Sequence, residues 1–169
     1  MRKLQWILMC TVLVAFPMAA LAADFVAAPL TGGDEVPAND TRARGNAHFE
    51  VSDDGMSVSY KLIVANIENV VASHIHVGAP GANGPVVVFL YGPQPAGGGR
   101  LNGVIAEGTF TAANLVGPLA GQPLSALLDN IQAGNAYVNV HTNDGVAPTN
   151  TGPGDFPGGE IRAQIRPGN

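Results

Sequence analysis

The stretch Ala136-Tyr137-Val138-Asn139-Val140-His141-Thr142 shows most clearly how this chain folds. Small aliphatic residues occupy every second position, and Tyr137, Asn139 and His141 occupy the positions between them. Successive side chains of a β-strand point to opposite faces of a sheet. The alternation therefore predicts a strand with one apolar face.

The same period of two recurs at residues 45–51, 57–65 and 159–165, with turn residues between the segments. The chain holds 22 glycines and 13 prolines, spread along its length, and has no internal repeat. Several short alternating strands separated by turns are typical of an antiparallel sandwich or barrel. We therefore expect an all-β fold.

One segment breaks this pattern. Leucines and an isoleucine recur at helical spacing after Pro123 and before Gly134, at positions 124, 127, 128 and 131. Proline suits a first helical turn and glycine a C-terminal stop. We expect one short helix near residues 123–133, packed on the sheets through its apolar stripe.

Two further segments give specific expectations. Residues 86–90 are continuously apolar, which predicts a strand covered on both faces. In the last strand, Ile161 and Ala163 should face the core, while Glu160 and Arg162 should face outward and form surface pairs of small value. Between the last two strands lies a long loop at residues 143–157.

The N-terminus has the pattern of a secretory signal peptide over residues 1–22. Arg2 and Lys3 precede an apolar run, and Ala20-Leu21-Ala22 has the form of a cleavage site. Cleavage would leave one domain at residues 23–169, exported to the periplasm or outside the cell, with no membrane attachment. It would also remove Cys10, the only cysteine, so no disulfide is expected.

Charge excludes one class of partner. Without Arg2 and Lys3, six basic residues stand against 13 acidic ones, a net charge of −7. Nucleic acid and anionic lipid surfaces need a basic patch, and the sequence has none.

Four motifs together resemble the CHRD domain, a module named after chordin and found in many secreted bacterial proteins. They fall in the family's order and span nearly all of residues 23–169. They are Leu30-Thr31-Gly32-Gly33-Asp34-Glu35-Val36-Pro37, Ala72-Ser73-His74-Ile75-His76-Val77-Gly78-Ala79-Pro80-Gly81 with Gly84-Pro85-Val86-Val87-Val88, Tyr137-Val138-Asn139-Val140-His141-Thr142, and Pro157-Gly158-Gly159-Glu160-Ile161-Arg162-Ala163-Gln164-Ile165.

The resemblance implies an immunoglobulin-like β-sandwich or barrel and supplies no function. The chain departs from the family pattern at two places. The loop at residues 143–156 is longer than usual, and Ala163 stands where the family commonly has glycine. The longer loop could cover or reshape the surroundings of His141.

The histidines carry the chemistry. His74 and His76 lie two residues apart, so a strand would project both from one face, with Cα atoms about 6.6 Å apart. His141 ends a strand that could pair beside them, and His48 lies on a polar strand face as a possible fourth ligand. Imidazoles converging from rigid strands can form a metal site. A cluster hydrogen-bonded to Asn139 and loop carbonyls is the competing interpretation.

Imidazole ligands without thiolates favour copper or zinc. Copper is the first expectation, by analogy with the His-x-His strand of copper/zinc superoxide dismutases, which also lie on a β-sandwich. We therefore expect an exported metal-binding module with His74, His76, His141 and His48 as candidate ligands. Two alternatives stay open: a non-catalytic module that binds a surface protein or glycan through loops such as 143–157, and a copper-dependent dismutase.

Other catalytic arrangements have little support. Ser73 and His74 are adjacent in a strand and point to opposite faces, so they cannot form a catalytic pair. The glycines at 78–84 do not open a helix in the manner of a phosphate loop. No acidic spacing resembles a calcium loop.

Overall fold

The computed structural model describes residues 24–168 and contains two antiparallel sheets and a single α-helix. This confirms the all-β sandwich with one short helix. The predicted signal peptide, residues 1–22, lies outside the described residues. No helix within residues 24–168 is long and apolar enough to cross a membrane.

The described part of the chain holds nine strands and one α-helix, with short 3-10 helices at Gly32–Asp34, Ala112–Asn114 and Gly117–Leu119. In chain order these are β1 (Asp24–Leu30), β2 (Arg44–Val51), β3 (Ser57–Glu68), β4 (Val70–Val77), β5 (Val86–Tyr91), β6 (Arg100–Thr111), α1 (Ser125–Gln132), β7 (Ala136–Thr142), β8 (Ile161–Gln164) and β9 (Arg166–Pro167).

The strands form one sheet of five, in the order β6-β3-β2-β1-β9, and one of four, in the order β5-β4-β7-β8. The core lies between the sheets. Leu62 and Val64 of β3 are buried on one side, and Ile75 of β4 and Val138 of β7 on the other. Alternation along each strand fills this core with every second side chain and turns the others outward.

The helix α1 begins two residues after Pro123 and ends before Gly134, whose φ of +73° is the left-handed conformation that glycine adopts readily. Its Leu127 and Ile131 are buried in the common core. The spacing of apolar residues thus predicted both the helix and the face it buries.

Two predictions about side-chain exposure were wrong. The strand β5 is an edge strand, and its Phe89 is 54% exposed, because its outer face has no full cover. Conversely, Glu160 and Arg162 are buried, with exposures of 0% and 1%. Arg162 lies under the loop after β4 and donates to the carbonyls of Ala79 and Ala82. Glu160 is enclosed by Thr41, Thr142 and Gly154, which all donate hydrogen bonds to its carboxylate.

Candidate metal centre

The pairing of β4 with β7 brings three of the four histidines together. In this antiparallel ladder His74 lies opposite Asn139 and His76 lies opposite Tyr137. His141 follows Asn139 by two residues and therefore shares its face. The outer face of the four-stranded sheet thus carries His74, His76 and His141, while Ile75 and Val138 between them enter the core.

The three imidazoles converge. One ring nitrogen from each of His74, His76 and His141 lies within 4.8 Å of the other two. The closest pair is His74 Nδ1 and His141 Nε2, 3.2 Å apart. The ring centroids of His74 and His76 are 5.6 Å apart, and those of His76 and His141 are 6.2 Å apart.

Backbone carbonyls orient two of the rings. His76 Nδ1 lies 2.9 Å from the carbonyl oxygen of Gly84, and His141 Nδ1 lies 2.8 Å from that of Pro157. A carbonyl only accepts hydrogen bonds, so both Nδ1 atoms carry the proton and donate. Each Nε2 is then left with a free lone pair, which is the arrangement typical of metal-binding histidines.

One of these lone pairs has no partner. His76 Nε2 is buried and makes no hydrogen bond within residues 24–168, and the same holds for Oδ1 of Asn139 on the same face. Buried polar atoms in folded proteins are nearly always satisfied by protein, water or an ion. The unpartnered nitrogen is therefore free to accept a hydrogen bond or to ligate an ion.

The site holds its histidines in the neutral form. Burial, together with the neighbouring His141 and His76, lowers the pKa of His74 from 6.5 to about 4. Burial also lowers the pKa of His76 and of His141, against the opposing effect of their carbonyl hydrogen bonds and, for His76, of the side chain of Asn139. Neutral imidazole is the form that binds metals.

Aromatic and cationic side chains surround the three histidines. Tyr137 stacks on His76, with ring centroids 4.8 Å apart and planes at 7°. The guanidinium carbon of Arg162 lies 3.4 Å from the centre of the Tyr137 ring. Because β7 lies between β4 and β8, Tyr137 separates His76 from this cation. Phe89 meets His74 edge-on at 4.9 Å.

The separations fit a first-row metal ion. Ligand nitrogens about 2.0–2.1 Å from an ion are roughly 3.3–3.4 Å apart at tetrahedral angles and cannot exceed about 4.2 Å. The His74–His141 distance of 3.2 Å meets the first value. The remaining pairs lie within 4.8 Å, so tetrahedral angles would need those nitrogens to approach by up to about 1.4 Å. A donor set of imidazoles alone suits zinc and copper.

The structure does not bring His48 to this cluster. His48 is exposed on β2, where it pairs with Val26 and Lys61 across the five-stranded sheet. The two sheets pack through their inner faces, so their outer faces lie on opposite sides of the molecule. As a ligand, His48 would belong to a different site.

The groups that orient the cluster were not predicted from the sequence. The carbonyls of Gly84 and Pro157 are backbone groups and leave no residue signature. Tyr137 and Arg162 do have recognisable side chains, and their positions on the same face as His141 were available from the alternation. The alternation did not predict that these two side chains would be buried.

Comparison with known families agrees with the motifs. The family model described as CHRD domain matches residues 26–165, nearly the whole described chain. This confirms the resemblance drawn from the motifs. A comparison with curated proteins found no match.

Proposed function

The chain belongs to the CHRD domain family, and we propose that its mature form is an exported module that binds a copper ion through His74, His76 and His141. The observation that carries this proposal is the buried, unpartnered Nε2 of His76, next to ring nitrogens of two further neutral histidines.

A cluster held by hydrogen bonds alone explains the geometry less well. His74 and His141 can share one proton across 3.2 Å. His76 already donates from Nδ1 to Gly84, so its Nε2 can only accept. The neighbouring amide of Asn139 leaves both that nitrogen and its own Oδ1 without a hydrogen bond. Leaving such an atom unsatisfied costs about 1–3 kcal/mol. An ion bound by all three nitrogens removes this cost.

Copper is preferred to zinc because imidazole ligands bind copper more tightly in the general order of affinities, although both ions accept three of them. A bound copper ion would supply reversible one-electron chemistry. Reversible binding requires only the three ligands, whereas a dismutase also needs an open coordination position reached by superoxide. We therefore propose binding, storage or transfer of the ion, with superoxide turnover as the test of the alternative.

Metal titration tests the proposal. The exported protein, purified without added metal, is titrated with Cu(II), Cu(I) and Zn(II) in competition with a chelator of known affinity. We expect one ion per chain, copper bound more tightly than zinc, and a loss of at least about 100-fold in a His74→Ala/His76→Ala variant. A His48→Ala variant is the matched control and should bind as the parent does.

Equal metal content in the double variant and in the parent would overturn the proposal, provided that circular dichroism shows both to be folded. The alternative function, an interaction module that binds through the loop at residues 143–157, would then be favoured. Retention of the metal-free protein on cell-surface or matrix material, compared with a variant shortened at the exposed tip around Val146, tests it.

A further inference from the structure

A second site lies apart from the histidines. A cavity of about 230 Å³ lies between the chain that follows Leu30 and the end of the loop after β7. With a liquid-water share of about 30 Å³ per molecule, it has room for about eight waters or one small molecule. Its lining residues are Glu35, Val36, Pro37, Ala38, Asn39, Asn150, Phe156, Gly158 and Gly159.

Glu35 is the charged group of this cavity. The residue is 5% exposed, and its Oε1 is buried without a hydrogen-bond partner among the described residues. The carboxyl lies directly on the backbone of Gly159, where a Cβ would overlap it, and the φ of +133° there also favours glycine. The chain therefore makes room for a buried carboxyl that it leaves incompletely satisfied.

Within the described residues, no basic side chain forms an ion pair with the carboxylate of Glu35. Burial raises its pKa to about 7, against the attraction of Arg162. The guanidinium of Arg162 donates instead to Asn83 and to the carbonyls of Ala79 and Ala82. Within residues 24–168 the one ion pair closer than 4 Å joins Lys61 to Glu107, on the other sheet.

Both segments that form the cavity are acidic. Residues 31–40 and 143–160 together contain six carboxylates and no lysine or arginine. Glu160 is satisfied by the hydroxyls of Thr41 and Thr142 and the amide of Gly154. Asp155 resembles Glu35, since its Oδ1 is also buried without a partner in the described part of the chain. Such a field attracts cations and repels anions.

Apolar side chains form much of the remaining lining, beside the amides of Asn39 and Asn150. Val36, Pro37, Ala38 and Phe156 face a ligand that carries hydrocarbon as well as charge. A divalent metal ion would need several oxygen ligands, and the His74, His76 and His141 cluster is the sole group of three metal-binding side chains found within residues 24–168. Aromatic and carboxylate groups together are suited to ammonium ligands.

We propose that this cavity binds a small organic cation, an alkylammonium whose charged nitrogen pairs with Glu35 and whose carbon chain packs against Val36, Pro37 and Phe156. The site is independent of the histidine cluster, since none of the three histidines lines it.

The test uses n-butylammonium chloride as the probe on the ¹⁵N-labelled exported protein at pH 8, where Glu35 is mostly ionised. We expect saturable shifts of the amide resonances of Gly158 and Gly159. The isosteric neutral probe 1-butanol should bind at least about tenfold more weakly, because a hydrogen bond between charged groups is lost. Sodium chloride at equal concentration should produce no such shifts.

Variants test whether the carboxylate of Glu35 binds the ammonium group. Glu35→Gln keeps the shape of the side chain and should weaken binding of n-butylammonium by at least about tenfold. Glu50→Gln, the same change at an exposed position of β2, should leave binding unchanged. Equal binding by Glu35→Gln and the parent, or equal binding of butanol and butylammonium, would overturn the proposal. The comparison of the two probes on the parent protein decides the matter even where Glu35→Gln does not fold.

Discussion

Replacing the buried carboxyl of Glu35 by an amide should make the stability of the protein less sensitive to a rise in pH from 4 to 8. In the folded state burial raises the pKa of Glu35 to about 7, whereas the ordinary value is 4.5. Between these two values the folded protein holds the proton and the unfolded chain does not. Unfolding then releases a proton, so stability falls as pH rises from 4.5 to about 7 and stays lower above that.

The structure sets the size of this effect. A difference between 4.5 and about 7 in pKa corresponds to about 3 kcal/mol of unfolding free energy at pH 8. Glu35→Gln removes the ionisation and should therefore gain about 3 kcal/mol relative to the parent on going from pH 4 to pH 8. Placing an amide against Gly159 can also cost stability, but this cost is the same at pH 4 and at pH 8. It therefore does not change how the unfolding free energy depends on pH.

Urea denaturation from pH 4 to pH 8, with a metal chelator and without amines, measures the difference between the two proteins. Glu50→Gln is the control, and its difference from the parent should stay flat because Glu50 is exposed. A parent-to-variant difference for Glu35→Gln that changes by less than about 1 kcal/mol over this range would refute the reasoning.

Two further predictions concern the outer face of the four-stranded sheet, which carries the three histidines and Arg162. The lowered pKa values of His74, His76 and His141 keep these ligands neutral to a lower pH than ordinary imidazoles. Copper affinity should therefore fall less between pH 7.5 and 5.5 than the roughly thousandfold of three ordinary imidazoles. Chelator competition at both pH values checks this, and a thousandfold loss would contradict it. The guanidinium of Arg162 lies on the Tyr137 ring and donates a hydrogen bond to the loop after β4. Arg162→Lys removes this planar group and should lower the unfolding free energy, measured by urea denaturation, by about 2–4 kcal/mol. The exposed Arg166→Lys is its control, and equal losses in both variants would contradict the assigned role.

The sequence by itself determined the class of fold and the presence of a helix. Alternation in β2, β3 and β7 indicated which side chains enter the core, because a strand repeats every two residues whatever it pairs with. Helical spacing identified α1 for the same local reason. The two-residue spacing of His74 and His76 likewise placed both on one face before any partner strand was known.

Only the tertiary structure decided which histidines meet and which outward-facing residues are buried. The pairing of β4 with β7 brings His141 to His74 and leaves His48 on the opposite side of the sandwich. Contacts with distant segments then bury Arg162 and Glu160, at positions where alternation predicts exposure, while Phe89 on the edge strand stays exposed. Local periodicity fixes the side of a strand on which a residue lies, but strand order and loop paths depend on contacts between distant parts of the chain.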